Sequence, residues 1–255
     1  MEEIVYGMNK FKEYFKDFSD KYIIVGGTAT AVYLKEQALT ARVTKDIDMI
    51  LISDSLDSNY GKVFWDFIHD GKYEKYYSKD NVPHYYRFIN NSKNGFPKMI
   101  ELFSKRQAFV DEESIFTPIK IDDDISSLSA IVLDDEYYQF LIEGRELKDD
   151  ISVLSPYYLI AFKAKAHVDL TAKKKTNSKL VNEADSKKHK NDIIRLLQLF
   201  TGEEKYDTPD IVKKDIVDFI NIIENEDIGY DVLTGGALSK ELTISLIKKV
   251  YDIWF

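Results

Sequence analysis

Apolar residues in the first half of the chain recur either in short runs or at helical spacing. Residues 3–19 place their apolar side chains on one face of a helix. Runs of β-branched and aromatic residues bounded by turns predict strands. Between these runs, apolar residues at helical spacing predict further helices. We therefore predict strands at 21–25, 46–52, 73–78, 84–90 and 97–104, helices at 28–35 and 57–68, and a further hairpin over 129–135 and 137–147.

The pattern changes after Ser155-Pro156, where helical periods replace the strand-like runs. Proline at the first position of a helix is a start signal, because the N–H that it lacks is not needed there. The remaining predicted elements are helices over 156–170, over 186–200, after Thr208-Pro209 and from Ser239 to the C-terminus, with an exposed loop at 171–179.

These two patterns predict an α+β fold with two domains, a mixed β-sheet flanked by helices in residues 1–152 and a helical bundle in residues 153–255. The chain has 255 residues, 44% of them hydrophobic and 31% charged, as in ordinary soluble proteins. It has no cysteine, which excludes disulfides and thiolate metal sites. No apolar stretch reaches the roughly 20 residues that span a bilayer, and the N-terminus lacks signal-peptide features. We expect a cytoplasmic protein that does not contact membranes.

The formal net charge is −9, but the charge is unevenly distributed. Residues 163–195 hold ten Lys/Arg and four Asp/Glu, a balance of +6, so that the rest of the chain carries −15. An acidic chain is poorly suited to coat DNA, and we expect no sequence-specific DNA binding. The basic segment either holds a triphosphate or an RNA acceptor, or is a solvated helical face with a Lys-rich loop.

A glycine pair between a predicted strand and a predicted helix is the first candidate for a functional site. Gly26-Gly27-Thr28 would let a phosphate approach the backbone at a helix N-terminus, where free N–H groups and partial positive charge favour anions. The alternative is a tight turn that binds nothing.

Acidic residues within two apolar strands are the second candidate. Asp46 and Asp48 share one face of their strand, and paired carboxylates repel unless a cation such as Mg²⁺ lies between them. Glu101 would complete a three-carboxylate cluster for one or two Mg²⁺ ions if its strand neighbours that of the aspartates. The alternative is acids at solvated strand ends or sheet edges. Arg87 and the two tyrosines before it either stack on a base or simply alternate along a strand.

The order of these features resembles the nucleotidyltransferase core of the DNA polymerase β superfamily over residues 20–104. Within that superfamily, IIVGGTATAVYL followed by RVTKDIDMIL is most similar to the AbiEii/AbiGii-type toxins of type IV toxin–antitoxin pairs. The resemblance implies transfer of a nucleoside monophosphate from an NTP, with Asp46, Asp48 and Glu101 as catalytic ligands of Mg²⁺. The other matching positions, which it implies to be nucleotide-binding, are Gly26, Gly27, Thr28, Arg42 and Thr44.

The resemblance extends into the helical half. It implies that Lys163 contacts the triphosphate and that Lys190 and Asp192 line the acceptor or nucleotide side. Asn191 separates that lysine from that aspartate, which departs from the stricter Lys-Asp form. Because Lys165 lies roughly on the opposite helix face from Lys163, only one of the two faces a given cleft.

Partners follow from the same resemblance. The NTP is the donor substrate, the acceptor is a tRNA, a protein hydroxyl or a small molecule, and a cognate antitoxin is the expected protein partner. The alternative function is a non-catalytic member of the same fold that binds a nucleotide or a partner without turnover.

Overall fold

The structure is a computed structural model that describes residues 5–52, 55–77, 83–90, 92–104, 108–109, 115–116, 131–132, 134–176 and 183–254. The described residues form two compact units. One unit lies within Met1–Val32, Arg42–Ile125 and Leu141–Ser155, and the other within Tyr33–Ala41, Ser126–Phe140 and Pro156–Phe255. The predicted boundary at 152/153 falls inside the last strand of the first unit.

A mixed seven-stranded sheet forms the centre of the first unit. Its strands are β1 (Tyr22–Val25), β2 (Asp46–Leu51), β3 (Tyr73–Tyr77), β4 (Pro83–Asn90), β5 (Met99–Ser104), β8 (Arg145–Lys148) and β9 (Ile151–Leu154), and a separate two-stranded ladder comprises β6 (Ala108–Phe109) and β7 (Ile115–Phe116). The spatial order is β3-β4-β5-β2-β1-β9-β8. Strand β2 is parallel to β5, and β1 to β9, whereas the other neighbouring pairs are antiparallel. The mixed sheet that the sequence predicts is confirmed.

Helices α1 (Met8–Phe15) and α3 (Ser58–Asp70) of the first unit pack on this sheet through aromatic side chains, whereas α2 (Gly26–Glu36) follows β1 directly and ends in the second unit. The Phe11 ring lies 5.5 Å from that of Tyr22 on β1 and 6.0 Å from that of Phe67 on α3, both edge to face. Asp57 accepts a 2.9 Å hydrogen bond from the Tyr60 N–H, and this cap fixes where α3 begins.

The hairpin predicted over 129–135 and 137–147 is wrong in its second segment. Helix α4 (Asp135–Glu143) occupies most of it, and the actual hairpin joins β8 to β9. Tyr137, Phe140 and Leu141 are buried at i, i+3 and i+4, a helical period that short apolar runs easily conceal. In the first segment, residues 131–132 are also helical, and residues 129, 130 and 133 lie outside the described part of the chain.

The second unit is helical, as the sequence predicts. Its helices are α5 (Pro156–Thr176), α6 (Glu183–Leu196), α7 (Asp210–Ile223), α8 (Tyr230–Thr234) and α9 (Lys240–Val250). The Ser239 hydroxyl caps α9 by accepting a 3.2 Å hydrogen bond from the Leu242 N–H.

Two details of the helical unit differ from the prediction or extend it. Residues 171–176 belong to α5 rather than to a loop, because lysine is a good helix former and favours the negative C-terminal end of a helix. The rest of the predicted loop, 177–179, is outside the described residues. Every helix in the described part of the chain is too short or too polar to cross a bilayer.

Candidate functional site

The glycine pair lies where two other predicted side chains approach the backbone. Gly26 is the first residue of α2 and has a φ of +67°, and a Cβ placed there would lie 2.0 Å from Oδ2 of Asp48. A Cβ on Gly27 would lie 2.2 Å from Nη2 of Arg42. Glycine is favoured at Gly26 by the positive φ and by Asp48 in the space of a Cβ, whereas a side chain at Gly27 would require the flexible Arg42 guanidinium to move.

Threonines tie the same helix start to the neighbouring strand. The Thr28 hydroxyl donates a 2.5 Å hydrogen bond to the carbonyl oxygen of Asp46, and its side chain is fully buried. Thr30 in turn donates to the Gly26 carbonyl oxygen at 2.9 Å. Thr44, just before β2, is also buried. The Thr28 hydroxyl thus holds the start of β2 against α2, an anchoring role within the protein itself.

The three predicted carboxylates lie on one face of the sheet. Asp48 on β2 is directly paired with Glu101 on β5, and Asp46 is paired with Met99. Alternate residues of a strand share a face, so Asp46, Asp48 and Glu101 all point to the side opposite buried Ile47. All three acidic residues are half-buried. The condition that the sequence left open, that the glutamate strand neighbours the aspartate strand, is met.

An arginine that sequence analysis did not assign to this cluster contacts its third carboxylate. Arg87 on β4 is paired with Glu101, and its Nε–H donates to Oε1 of Glu101. Their side chains are 27% and 12% exposed, so the ion pair is largely shielded from water. The alternation of residues along β4 places Arg87 on one face of its strand, and the sequence alone shows this. That Arg87 is paired with Glu101 follows only from the pairing of β4 with β5 in the sheet.

The carboxylates differ in how well they fit a divalent cation. Asp46 and Asp48 offer hard oxygen ligands on one face at the edge of α2, which suits Mg²⁺. Glu101 is engaged by Arg87. Among the residues that the structure describes, no group of three or more Asp, Glu, His or Cys side chains is arranged to hold a metal ion. The structure thus places the two aspartates on one face of β2 and pairs the third carboxylate with a guanidinium.

The predicted residues of the helical half lie within the second unit. Lys163 on α5 forms an ion pair with Asp192 on α6 at 2.8 Å, and their side chains are only 4% and 1% exposed. Nη1 of Arg195 lies 3.7 Å from the other oxygen of Asp192. Lys190 instead pairs with Glu226. The structure brings Lys163 and Asp192 together and gives Lys190 a different partner.

The neighbouring lysine on α5 faces other acids. Lys165 lies 3.0 Å from Asp169 and 3.5 Å from Asp215, which also accepts from the hydroxyl of buried Tyr137. The two lysines of α5 therefore point into separate environments, as their spacing predicts. Burial raises the pKa of Tyr137 well above its usual range, and its hydrogen bond to Asp215 raises it further.

His167 is a buried histidine of the helical unit. Its Nδ1 lies 3.0 Å from the carbonyl oxygen of Ser186, which joins α5 to α6. Burial lowers the pKa of His167, and the hydrogen bond to the Ser186 carbonyl opposes that shift only in part. The ring therefore stays neutral near pH 7, as expected of a packed structural histidine.

Comparisons with known proteins give one structural likeness. No protein-family model matches the chain, and no curated protein matches it in sequence. One solved structure, an antigenic nucleotidyltransferase-like protein from Paracoccidioides brasiliensis, is 12% identical with a TM-score of 0.45, over 92% of this chain and 96% of that one. A likeness of this strength does not assign an activity to the chain.

Proposed function

We propose that the chain is a nucleotidyltransferase of the DNA polymerase β superfamily, which transfers a nucleoside monophosphate from an NTP to an acceptor. One observation carries the proposal: the Asp48 carboxylate lies against the glycine turn that begins α2, and Glu101 is paired with Asp48 on the neighbouring strand. The glycine turn that we propose to bind phosphate thus lies beside the acidic residues within one compact unit.

The residues of this place supply complementary chemistry. The backbone at Gly26 and Gly27 opens a helix N-terminus, which favours phosphate, and the Arg42 guanidinium against Gly27 adds a fixed positive charge. Asp46 and Asp48 would hold Mg²⁺, with Glu101 as the third carboxylate on the same face. When bound, Mg²⁺ neutralises triphosphate charge and makes an acceptor hydroxyl more acidic.

The finer assignments are part of the same proposal. The resemblance to AbiEii/AbiGii-type toxins supports a toxin role with a cognate antitoxin, and it leaves a tRNA, a protein hydroxyl or a small molecule as the acceptor. The nucleotide roles of Lys163, Lys190 and Asp192 stay predictions of that resemblance, because these side chains are engaged by one another or by Glu226.

The direct test is transfer of label. The protein is incubated with Mg²⁺ and each α-³²P-labelled NTP, together with total RNA or cell protein, and products are resolved on gels. We expect Asp48→Ala and Asp46→Asn to abolish transfer while the far-UV circular dichroism and melting temperature stay close to those of the parent protein. Asp66→Asn, an exposed acid on α3, is the matched control and should transfer normally.

Two outcomes would overturn the proposal. Activity that survives Asp46→Asn would remove Asp46 from the cation site, and activity that also survives Asp48→Ala would show that β2 carries no catalytic carboxylate. Labelled NTP that binds without transfer to any acceptor, including the small-molecule fraction of a cell extract, would favour the alternative, a member of the fold that binds nucleotide without turnover.

A further inference from the structure

One rung of the sheet places three charged side chains on neighbouring strands. Val25 of β1 is paired with Asp48 of β2, Asp48 with Glu101 of β5, and Glu101 with Arg87 of β4. Gly26 follows directly after Val25 and contacts Asp48. Glu101 therefore lies between a carboxylate on one side and a guanidinium on the other, in the rung that ends beside the glycine turn.

The charges on this rung act on each other strongly because they are poorly exposed. Directly paired residues on neighbouring strands bring their Cβ atoms to about 5 Å, and like charges placed there are destabilising. The Glu101 side chain is only 12% exposed, so water screens it weakly. Arg87 offsets the repulsion between Glu101 and Asp48, and a cation bound between the two carboxylates would offset it in the same way.

The Glu101 carboxylate is engaged by the arginine of the neighbouring strand. Its Oε1 accepts from Nε of Arg87, and the described acids do not converge into a three-carboxylate group. The backbone register places Glu101 beside Asp48 all the same. Rotation of the Glu101 side chain about its own torsions would take the carboxylate from the guanidinium toward Asp48 without a change of backbone register.

We propose that Arg87 is a positioning residue that competes with a divalent cation for the Glu101 carboxylate. The inference rests on the proposed function, since it takes Asp46 and Asp48 as the first ligands of that cation. When the cation recruits Glu101, the Arg87–Glu101 ion pair breaks, and the guanidinium keeps its charge at the edge of the site. Arg87 thereby weakens cation binding and prevents Glu101 from repelling Asp48 when the two carboxylates share no ion.

Mn²⁺ binding tests this competition without requiring turnover. Free Mn²⁺ is measured by electron paramagnetic resonance during titration of the parent protein, Arg87→Gln, Glu101→Gln, the double variant and Asp48→Asn. We expect Arg87→Gln to tighten Mn²⁺ binding about tenfold when Glu101 is present and less than threefold in the Glu101→Gln background, a coupling within the range found for contacting charged groups. Removal of a positive charge that acts only through space would tighten binding equally in both backgrounds.

Matched controls separate the possible failures. Arg145→Gln removes an exposed arginine from β8 of the same sheet and should leave the Mn²⁺ affinity unchanged. Arg87→Lys keeps the charge but loses the geometry of the guanidinium, and an intermediate affinity is expected, which also serves if Arg87→Gln misfolds. Equal shifts in both backgrounds, or weaker binding by Arg87→Gln, would overturn the competition. Mn²⁺ binding that Asp48→Asn leaves intact would instead overturn the cation site of the proposed function.

Discussion

Gly26 is the residue at which backbone geometry and candidate chemistry coincide. Its φ of +67° favours glycine, and the space where a Cβ would lie contains Oδ2 of Asp48 at 2.0 Å. Gly235 has nearly the same φ, +62°, but a Cβ there would meet nothing within 4 Å. Comparison of the two positions separates backbone strain from displacement of the aspartate.

We expect Gly26→Ala to cost more stability than Gly235→Ala. The left-handed backbone costs a non-glycine residue about 1–2 kcal/mol at either position, and only at Gly26 is the contact with Asp48 added. Urea denaturation gives the free energy of unfolding of each variant. Nucleotide binding should fall with Gly26→Ala and stay unchanged with Gly235→Ala, and equal stability losses would contradict the close approach of Asp48.

His167 predicts a pH dependence of stability in the helical unit. Burial lowers its pKa in the folded state below the usual value of 6.5. Below that value the unfolded chain binds a proton that the folded chain does not, so the contribution is fully present above pH 6.5 and is lost as the pH falls toward the folded pKa. Denaturation of the parent protein and His167→Gln between pH 5 and 8 should therefore differ in slope only on the acid side. Parallel curves would show that the ring titrates alike in both states.

Elements were predicted well where local chemistry marks them and poorly where long-range contacts decide. The hydrophobic period of the sequence, together with the glycine and proline residues that mark boundaries, predicts strand β2, the glycine turn and the start of α5 at Pro156. The sequence predicts a strand where helix α4 forms, because its short run of aromatic and aliphatic residues between acidic ends fits either period. The pairing of Asp48 with Glu101 and of Glu101 with Arg87 depends on strand order, which no local pattern in the sequence specifies.

The ion pair between α5 and α6 is expected to support the helical unit. Lys163→Met leaves Asp192 almost fully buried, with the Arg195 guanidinium 3.7 Å away. Breaking a buried pair typically costs about 3–5 kcal/mol, and the second cation places this case at the lower end. Lys165→Met, on the same helix but 28% exposed, should cost about 1 kcal/mol or less.

The measurement for this pair is the free energy of unfolding from urea denaturation. The double variant Lys163→Met/Asp192→Leu should recover part of the stability, because it removes the uncompensated charge. If Lys163→Met were as stable as the parent protein, the pair would not support the fold, and the role of Lys163 at the triphosphate would become the better explanation of its presence.

At the scale of the whole molecule, the chain is acidic and the basic segment 163–195 is the exception. Its charge is partly neutralised inside the helical unit, where Lys163, Lys165, Lys190 and Arg195 all have acidic partners. The exposed lysines of the segment that the structure describes lie at two places, the end of α5 and the early part of α6. An RNA acceptor would have to be attracted there, whereas a small acceptor needs no such surface.

The three exposed lysines that end α5 make the acceptor class testable. If the acceptor is RNA, Lys173→Gln/Lys174→Gln/Lys175→Gln should weaken capture of total RNA and reduce the slope of log affinity against log salt by about 0.7 for each single-strand phosphate that the variant no longer neutralises. The matched control replaces the exposed lysines 205, 214 and 249 of the same unit with Gln, which changes the net charge equally. If RNA binds at the end of α5, only the first triple variant should lose RNA affinity. If the net charge alone attracts RNA, both triple variants should lose RNA affinity equally. If the acceptor is instead a protein hydroxyl or a small molecule, the slope of log RNA affinity against log salt should be the same in both variants as in the parent protein, because these lysines then neutralise no row of phosphates.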